Sequence, residues 1–111
     1  MSECVFCKIV NKEIYADIIL DNEDVLAFAD VNPVSPIHYL IIPKQHCSSL
    51  MDMPDNLMLS VHHSIKEVAK QLGVDDSGFR VVNNCGEDGG QVVDHVHFHF
   101  LAKRHHGWPP G

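Results

Sequence analysis

Three histidines, His95, His97 and His99, stand at every second position of the stretch DHVHFHFLAK, residues 94–103. Valine and phenylalanine fill the positions between them. In a β-strand, side chains at alternate positions point to the same face, so the pattern predicts one imidazole face and one apolar face. With a rise of about 3.3 Å per residue, neighbouring imidazoles would stand about 7 Å apart. The apolar face suits a hydrophobic core, and the imidazole face suits binding, catalysis or contact with water.

A glycine-rich loop, NCGEDGGQ, comes just before the histidine strand. Gly86, Gly89 and Gly90 let the backbone turn tightly and approach a ligand closely, and consecutive amides in such a turn can bind an anion. The loop has neither the Gly-Lys-Ser/Thr of a P-loop nor the GxGxxG of a dinucleotide site. A plain hairpin connection is the alternative. If an anion binds here, the order of the chain places it beside the imidazoles.

Phosphate is the anion whose chemistry best matches several imidazoles. A neutral imidazole can attack phosphorus and form a phospho-histidyl intermediate, which divides one difficult displacement into two easier ones. A protonated imidazole can stabilise charge on the phosphate oxygens. Proton transfer to the leaving atom contributes about 10²–10⁴-fold. The spacing alone does not assign these roles among the three histidines.

Cys4 and Cys7 form a C-x-x-C pair, a spacing used in zinc sites. Two thiolates need two further ligands, which His46 and the histidine strand could supply. Thiols without a metal and redox chemistry are the alternatives, although no thioredoxin-like context surrounds the pair. A structural zinc would have four protein ligands, whereas a zinc-dependent hydrolase would need one open position for water.

Apolar patterning predicts five strands, the histidine strand being the last, and one long helix. Residues 18–20 and 25–29 form a hairpin around the turn DNED, IHYLIIP forms a third strand ending at Pro43, and FRVVN forms a fourth. The helix begins after an N-cap at Asp55 and ends at Gly73. Its apolar stripe comprises Leu57, Val61, Ile65, Val68 and Leu72. Hairpins with one helical crossover favour an α+β fold with a mainly antiparallel sheet.

The length and net charge of the chain exclude several classes of protein. The 111 residues suffice for one domain, residues 1–111, and not for two. A net charge of −7 argues against a nucleic-acid backbone as partner, which would require a basic surface. No apolar run approaches the roughly 18 residues of a membrane span, and the N-terminus does not resemble a signal peptide. We expect a cytoplasmic protein, with an additional nuclear pool as the alternative, whose cysteines are reduced or metal-bound.

The run from His95 to Leu101 fits the pattern of three histidines alternating with apolar residues and resembles the histidine triad (HIT) superfamily. Nearly the whole chain is similar, in order, to its histidine triad nucleotide-binding (Hint) branch, through FCKIVNKEI, LAFADVNPVSPIHYLIIPKQH, FRVVNN, GGQVVDHVHFHFL and HGWPPG. The resemblance implies a HIT-like fold with one long and one or two short helices, and a homodimer with a ten-stranded sheet. It also implies hydrolysis of purine nucleoside phosphoramidates to AMP or GMP and an amine, with no metal required for catalysis.

The resemblance further implies a role for each histidine. His97 is the nucleophile that takes the nucleotidyl group, and His99 contacts the phosphate. His95 lies behind them and, together with His46, orients its neighbours.

The resemblance also implies a set of nucleotide-binding residues. Asp30 would hold the ribose hydroxyls, and Asn83 would lie with residues 90–92 on the phosphate and leaving-group side. The apolar members would form the walls of the base pocket: Phe6, Ile9, Ile14 and Phe28. The full set is Phe6, Ile9, Ile14, Phe28, Asp30, Val31, Asn83, Gly90, Gln91, Val92, His97, Phe98 and His99. Asp30 could instead be a turn residue, Asn83 a loop residue and the apolar four plain core.

Val92 departs from the Hint pattern, which usually has serine there. That hydroxyl is thought to help the leaving amine depart, and losing one such hydrogen bond could cost about 1–3 kcal/mol, roughly 5- to 150-fold in rate. A purine nucleotide-binding or sensing module with weak catalysis is therefore the alternative function.

Two further expectations concern the ends of the chain. Some microbial relatives hold zinc through such a cysteine pair and two histidines, and here we expect Cys4, Cys7, His46 and His95. In the tail HGWPPG, Trp108 would pack on a partner subunit, as the resemblance favours, or fold back on its own domain.

Overall fold

Five antiparallel strands form the centre of the computed structural model, which describes residues 3–111. The strands are β1 (Ile18–Asp21), β2 (Val25–Ala29), β3 (Ile37–Pro43), β4 (Phe79–Val82) and β5 (Phe98–Ala102), and the helices are α1 (Val5–Val10) and α2 (Asp55–Gln71), with a 3-10 helix at Leu50–Asp52. The strand order is β1-β2-β3-β5-β4, and every neighbouring pair is antiparallel. The α+β fold with one long and two short helices is confirmed.

Helix α2 covers one face of the sheet and forms the larger core. Its apolar stripe buries Leu57, Val61 and Val68 against the face that carries Phe98 and Phe100. A run with this helical spacing presents one continuous stripe to a flat sheet face, which removes its apolar surface from water.

The ends of α2 differ slightly from the expectation. Asp55 was predicted as the N-cap, but the cap is Pro54, which has extended dihedrals and makes no side-chain cap bond. Asp55 is instead the first helical residue, where its carboxylate suits the positive end of the helix dipole. Gly73 follows the helix with a φ of +71°, the left-handed conformation typical of a terminating glycine.

A smaller core lies on the opposite face of the sheet, under α1. The two buried residues of this short helix are Phe6 and Ile9. They pack against sheet residues of β2 and β3, which are Leu26, Phe28, Leu40 and Ile42. The register pairs Leu40 with His99 and therefore puts His99 on this same face.

The histidine strand is shorter than predicted. The sequence indicated a strand over 94–103, but β5 begins at Phe98, so His95 and His97 lie in irregular backbone before it. The ladder with β3 stops at the pair Ile41 and Phe98. Further along, the Val96 amide donates to the Cys47 carbonyl at 2.8 Å, outside any ladder. The alternation still holds at the apolar positions, because Val96 joins Phe98 in the larger core.

The C-terminal tail leaves its tryptophan on the surface. Trp108 is 83% exposed, so the fold-back alternative does not occur in the structure. Packing of Trp108 on a partner subunit stays a prediction. Among residues 3–111 no helix combines the length and apolar character that crossing a membrane would require.

The two edge strands of the sheet, β1 and β4, are protected from further pairing to different degrees. On β1, the Gln71 side chain donates to the Ile19 carbonyl at 3.2 Å and so occupies part of the edge. On β4, no described strand lies outside it, and Phe79 and Val81 are 37% and 38% exposed. An uncovered edge with apolar side chains is a template for pairing with another strand.

We therefore predict that a second copy of the chain pairs along β4. Val81→Glu should weaken this association by about tenfold or more, because each copy would bring a carboxylate into the strand pairing. Light scattering after size-exclusion chromatography measures the mass of each species. Leu59→Glu, on the exposed face of α2, is the matched control and should leave the dimer unchanged. A monomer in the unmodified protein at micromolar concentration would contradict the prediction.

Candidate active site

The three imidazoles between His95 and His99 point in two directions. The rings of His97 and His99 lie 5.2 Å apart between centroids. The His95 ring turns away towards His46, at 4.9 Å. The three imidazoles therefore do not form the solvent-facing row that a regular strand would produce. His95 and His97 are buried, and His99 is half-buried.

A backbone bond fixes which nitrogen of His97 carries a proton. Its Nδ1 lies 2.8 Å from the carbonyl oxygen of His95. A carbonyl oxygen can only accept, so Nδ1 carries the hydrogen and the neutral ring keeps its lone pair on Nε2. The Asn83 side chain donates to the His97 carbonyl at 2.9 Å and fixes the same residue from the other side. In its neutral form, His97 therefore presents the Nε2 lone pair, and Asn83 fixes the position of its backbone.

His95 is oriented by a similar bond in the opposite sense. Its Nε2 lies 2.9 Å from the Pro43 carbonyl and must donate, which leaves the Nδ1 lone pair unprotonated. This Nδ1 faces the sulfur atoms of Cys4 and Cys7, at 3.4 and 3.6 Å. Burial lowers the pKa of His95, more than the bond to Pro43 raises it, so the ring is held in the neutral form that metal ligation requires.

Four metal-type ligands meet at this point. The ligand atoms of Cys4, Cys7, His46 and His95 all lie within 4.8 Å of one another, and Cys7 Sγ is 3.3 Å from His46 Nδ1. Bonds of about 2.0–2.3 Å in a tetrahedral zinc site require ligand separations of roughly 3.3–3.8 Å. The donor set and its spacing fit a zinc ion. The structure therefore assembles the four residues that the resemblance implied.

His38 is a member of the site that the sequence analysis did not select. Its Nε2 lies 2.9 Å from His99 Nδ1, and it is buried in β3. The sequence analysis placed His46 both with the catalytic histidines and with the cysteines. Its Nδ1 lies 3.3 Å from Cys7 Sγ, and its ring lies 4.9 Å from that of His95. The missed signal was the alternation of IHYLIIP, which puts His38 on the same strand face as Leu40, the register partner of His99.

A chain of hydrogen bonds sets the tautomers of His38 and His99. The Val34 backbone N–H donates to His38 Nδ1 at 3.1 Å, so the proton of neutral His38 is on Nε2. His38 Nε2 then donates to His99 Nδ1, which leaves His99 with its proton on Nε2. His99 is therefore a hydrogen-bond donor through Nε2, on a ring whose centroid lies 5.2 Å from that of His97. Burial lowers the pKa of both His38 and His99 and keeps this pair neutral.

Asp30 completes a second cluster with these two histidines. Its Oδ2 is 3.3 Å from His38 Nε2, and its Oδ1 accepts from the Asn32 amide at 2.8 Å. The ligand atoms of Asp30, His38 and His99 are close enough for a metal ion. A metal would need the Nε2 lone pair of His38, which the bond from Val34 assigns to Nδ1 instead. The tautomer thus favours a hydrogen-bonded relay over a metal site.

Several backbone amides of the glycine loop are already hydrogen-bonded within the loop. The amides of Gly86, Gly90 and Gln91 donate to loop acceptors, and the Gln91 side chain donates to the carbonyls of Ser48 and Val93. At Gly89 an added Cβ would lie 2.4 Å from the Cys85 carbonyl oxygen, so no larger residue fits. The loop is a braced turn, and contact of residues 90–92 with a nucleotide stays a prediction.

The apolar candidates divide into two groups. Phe6, Ile9 and Phe28 lie together in the smaller core, and the Phe6 ring is 5.3 Å from the ring of His97. Ile14 is 40% exposed and lies outside this cluster, while Val31 is almost fully exposed beside Asp30. Three of the four therefore pack in one cluster that reaches His97 through Phe6, and Ile14 lies outside it, so their contact with a base stays a prediction. Phe98 faces the larger core on the other side of the sheet.

Comparisons with known proteins agree on one family. Residues 11–106 match the family model described as HIT domain. A HIT family hydrolase from Legionella pneumophila is similar in structure, with a TM-score of 0.93, 39% identity, and coverage of 98% of this chain and 100% of that one.

Two further relatives carry more specific names. An adenosine 5′-monophosphoramidase of Candida albicans is 34% identical over 120 residues, covering 97% of this chain and 79% of its own length. The crystal structure of a histidine triad nucleotide-binding protein from Candida albicans superposes with a TM-score of 0.89 and 34% identity, covering 96% of this chain and 83% of that one. The family model spans most of the chain, and the solved structures share its fold at substantial identity. The chain belongs to the histidine triad (HIT) family.

Proposed function

We propose that this protein hydrolyses purine nucleoside phosphoramidates through a nucleotidyl–His97 intermediate. The observation that carries the proposal is the bond from His97 Nδ1 to the His95 carbonyl, because it leaves the Nε2 lone pair for attack on phosphorus. The neighbouring His99 presents an N–H that can stabilise charge on a phosphate oxygen. The Candida albicans relative named a phosphoramidase supports the same reaction class.

The reaction would proceed in two displacements. In the first, His97 Nε2 attacks phosphorus, the P–N bond of the substrate breaks, and the amine leaves with a proton from the site. In the second, water attacks phosphorus and returns a proton to the site, the bond to His97 breaks, and a nucleoside monophosphate leaves. A negative charge grows on the phosphate oxygens in both steps, and a prearranged donor at His99 would stabilise it without reorganisation.

The purine and ribose would bind on either side of the nucleophile. Phe6 and Phe28, whose rings are 5.7 Å apart, form an apolar wall next to His97 that suits a flat base. Asp30 is only partly buried at the end of β2 and offers carboxylate oxygens to two ribose hydroxyls. A base at this wall and ribose hydroxyls at Asp30 would then lie on the sheet face that carries His38 and His99.

His97→Ala should abolish turnover, by at least about 10³-fold, because no other group can take the nucleotidyl transfer. The variant should still bind AMP, as isothermal calorimetry can measure. His62→Ala, on the exposed side of α2, is the control. Mass spectrometry of the unmodified protein quenched during turnover should find a nucleoside monophosphate adduct on the peptide with His97. Normal turnover in His97→Ala would refute the proposal.

Val92 is 87% exposed at the end of the glycine loop, so its substitution should not disturb the core. If a hydroxyl at this position assists the leaving amine, Val92→Ser should raise kcat by about 5- to 150-fold with little change in KM. Val92→Thr adds the hydroxyl at nearly constant size, and Val92→Ala changes the size without it. Equal rates for the serine and alanine variants would show that the hydroxyl is not the missing element.

The alternative is a purine nucleotide-binding or sensing protein with weak catalysis, which the valine at position 92 favours. Tight AMP binding with turnover far below about 1 s⁻¹, the low end of ordinary enzyme rates, would support it.

We further propose that Cys4, Cys7, His46 and His95 hold a structural zinc ion. When bound, the ion would crosslink α1 to the segment that carries His97. The four protein ligands fill a tetrahedral site and leave no position for a reacting water. A thiol cluster of this kind also suits the reducing cytoplasm, which we propose as the location.

Removal of the metal should therefore lower the thermal stability of the protein more than its catalytic rate. Chelation should lower Tm by at least about 5 °C, the shift expected from about 1 kcal/mol in a domain of this size. Cys7→Ser should have the same effect and Cys85→Ser should not, and elemental analysis should find one zinc per chain. A chelated protein that stays folded but loses all activity would instead indicate a zinc-dependent hydrolase.

A further inference from the structure

The C-terminal tail is bonded to the turn that precedes His38. Arg104 Nε donates to the Val34 carbonyl at 3.2 Å and to the Ser35 hydroxyl at 3.1 Å. Ser35 is buried and also bonds His106 Nε2, at 3.0 Å. The Arg104 guanidinium can only donate, so the Val34 carbonyl and the Ser35 hydroxyl oxygen are both acceptors in this contact.

The same residue, Val34, links this contact to the site. Its carbonyl accepts from Arg104, and its N–H donates to His38 Nδ1. A shift of Val34 would therefore move the donor that assigns the proton of His38 to Nε2. His38 would then be able to carry its proton on Nδ1, and its donation to His99 would end.

From these bonds we propose that Arg104 is a positioning residue for the phosphorus chemistry. It holds Val34 so that His38 keeps the tautomer that makes His99 a donor towards the phosphate. Arg104 touches no reacting atom in this scheme and acts only through Val34 and His38. The inference rests on the proposed function for its kinetic consequence, but the tautomer itself can be measured without turnover.

Arg104→Ala is the informative substitution because a second arginine keeps the tail attached. Arg80 donates to the carbonyls of His106 and Gly107, at 3.3 and 2.9 Å, independently of Arg104. The variant should lower kcat on an adenosine phosphoramidate by about tenfold, part of the 10²–10⁴-fold that proton-transfer and donor groups contribute, with KM changed by less than about twofold. Lys103→Asn is the control: it removes a neighbouring charge, and asparagine tolerates the left-handed backbone at that position, φ +72°.

A spectroscopic measurement tests the tautomer directly. In protein labelled with ¹⁵N-histidine, the nitrogen shifts of neutral His38 should report a proton on Nε2. In Arg104→Ala they should report a mixture or the Nδ1 form, while His97 keeps its proton on Nδ1. Arg104→Lys, which keeps the charge but replaces the guanidinium with a flexible ammonium, should give an intermediate result and serves if the alanine variant does not fold.

A double-mutant cycle separates positioning from a general structural role. If Arg104 acts through His38, then Arg104→Ala should add little further loss of kcat once His38→Asn is present. Additive losses, an unchanged His38 tautomer or an unchanged kcat in Arg104→Ala would each overturn the inference. If the unmodified protein hydrolyses no phosphoramidate, the proposed function fails, whereas the ¹⁵N shifts still decide whether Arg104 sets the tautomer.

Discussion

The hydrogen bond between His97 Nδ1 and the His95 carbonyl is the interaction on which the chemistry of the site depends. An imidazole in water exchanges its proton between two nitrogens, and only one arrangement leaves the correct lone pair for attack. In the buried site the carbonyl acceptor decides between them, because an unsatisfied buried N–H would cost about 1–3 kcal/mol. In the neutral ring this bond therefore leaves the free lone pair on Nε2, the atom that we propose as the nucleophile.

His95 joins two parts of the molecule that the sequence separates. Its carbonyl orients His97, while its imidazole faces two cysteines of the N-terminal segment. A metal at the cysteine cluster would thus act on the nucleophile through the backbone, as an orienting group behind a ligand. His95 therefore connects the stability of the cysteine cluster with the reactivity of His97.

Burial gives the second pair, His38 and His99, its character. Desolvation lowers the pKa of both rings, so the pair stays neutral through ordinary physiological pH. A neutral imidazole has one donor nitrogen and one acceptor nitrogen, so a hydrogen bond at one nitrogen decides the role of the other. The Val34 amide donates to His38, His38 donates to His99, and His99 is left with an N–H at Nε2. Contacts from a loop, a strand and the tail therefore together determine which nitrogen of His99 carries the proton.

Much of the fold was readable from local pattern. The strand and helix positions followed from apolar periodicity, because a side chain repeats on one face every two residues in a strand and every three or four in a helix. The errors had local causes. The histidine strand began later than expected because its ladder with β3 ends at Phe98, and the cap of α2 moved by one residue to Pro54. The glycine loop was predicted from its composition, but the hydrogen bonds that several of its amides make within the loop were not.

The sequence by itself determined the histidine triad pattern, the α+β fold and the C-x-x-C pair, since these depend on residue type and short spacing. Only the tertiary structure decided which imidazoles meet. It paired His99 with His38, 61 positions away in the chain, and it brought His46 to the cysteines, as the family resemblance implied. It also decided every tautomer, because the deciding carbonyl or amide belongs to backbone whose position depends on strand register and loop packing. Those partners have no signature in a single sequence, and they determine the chemistry that the triad can perform.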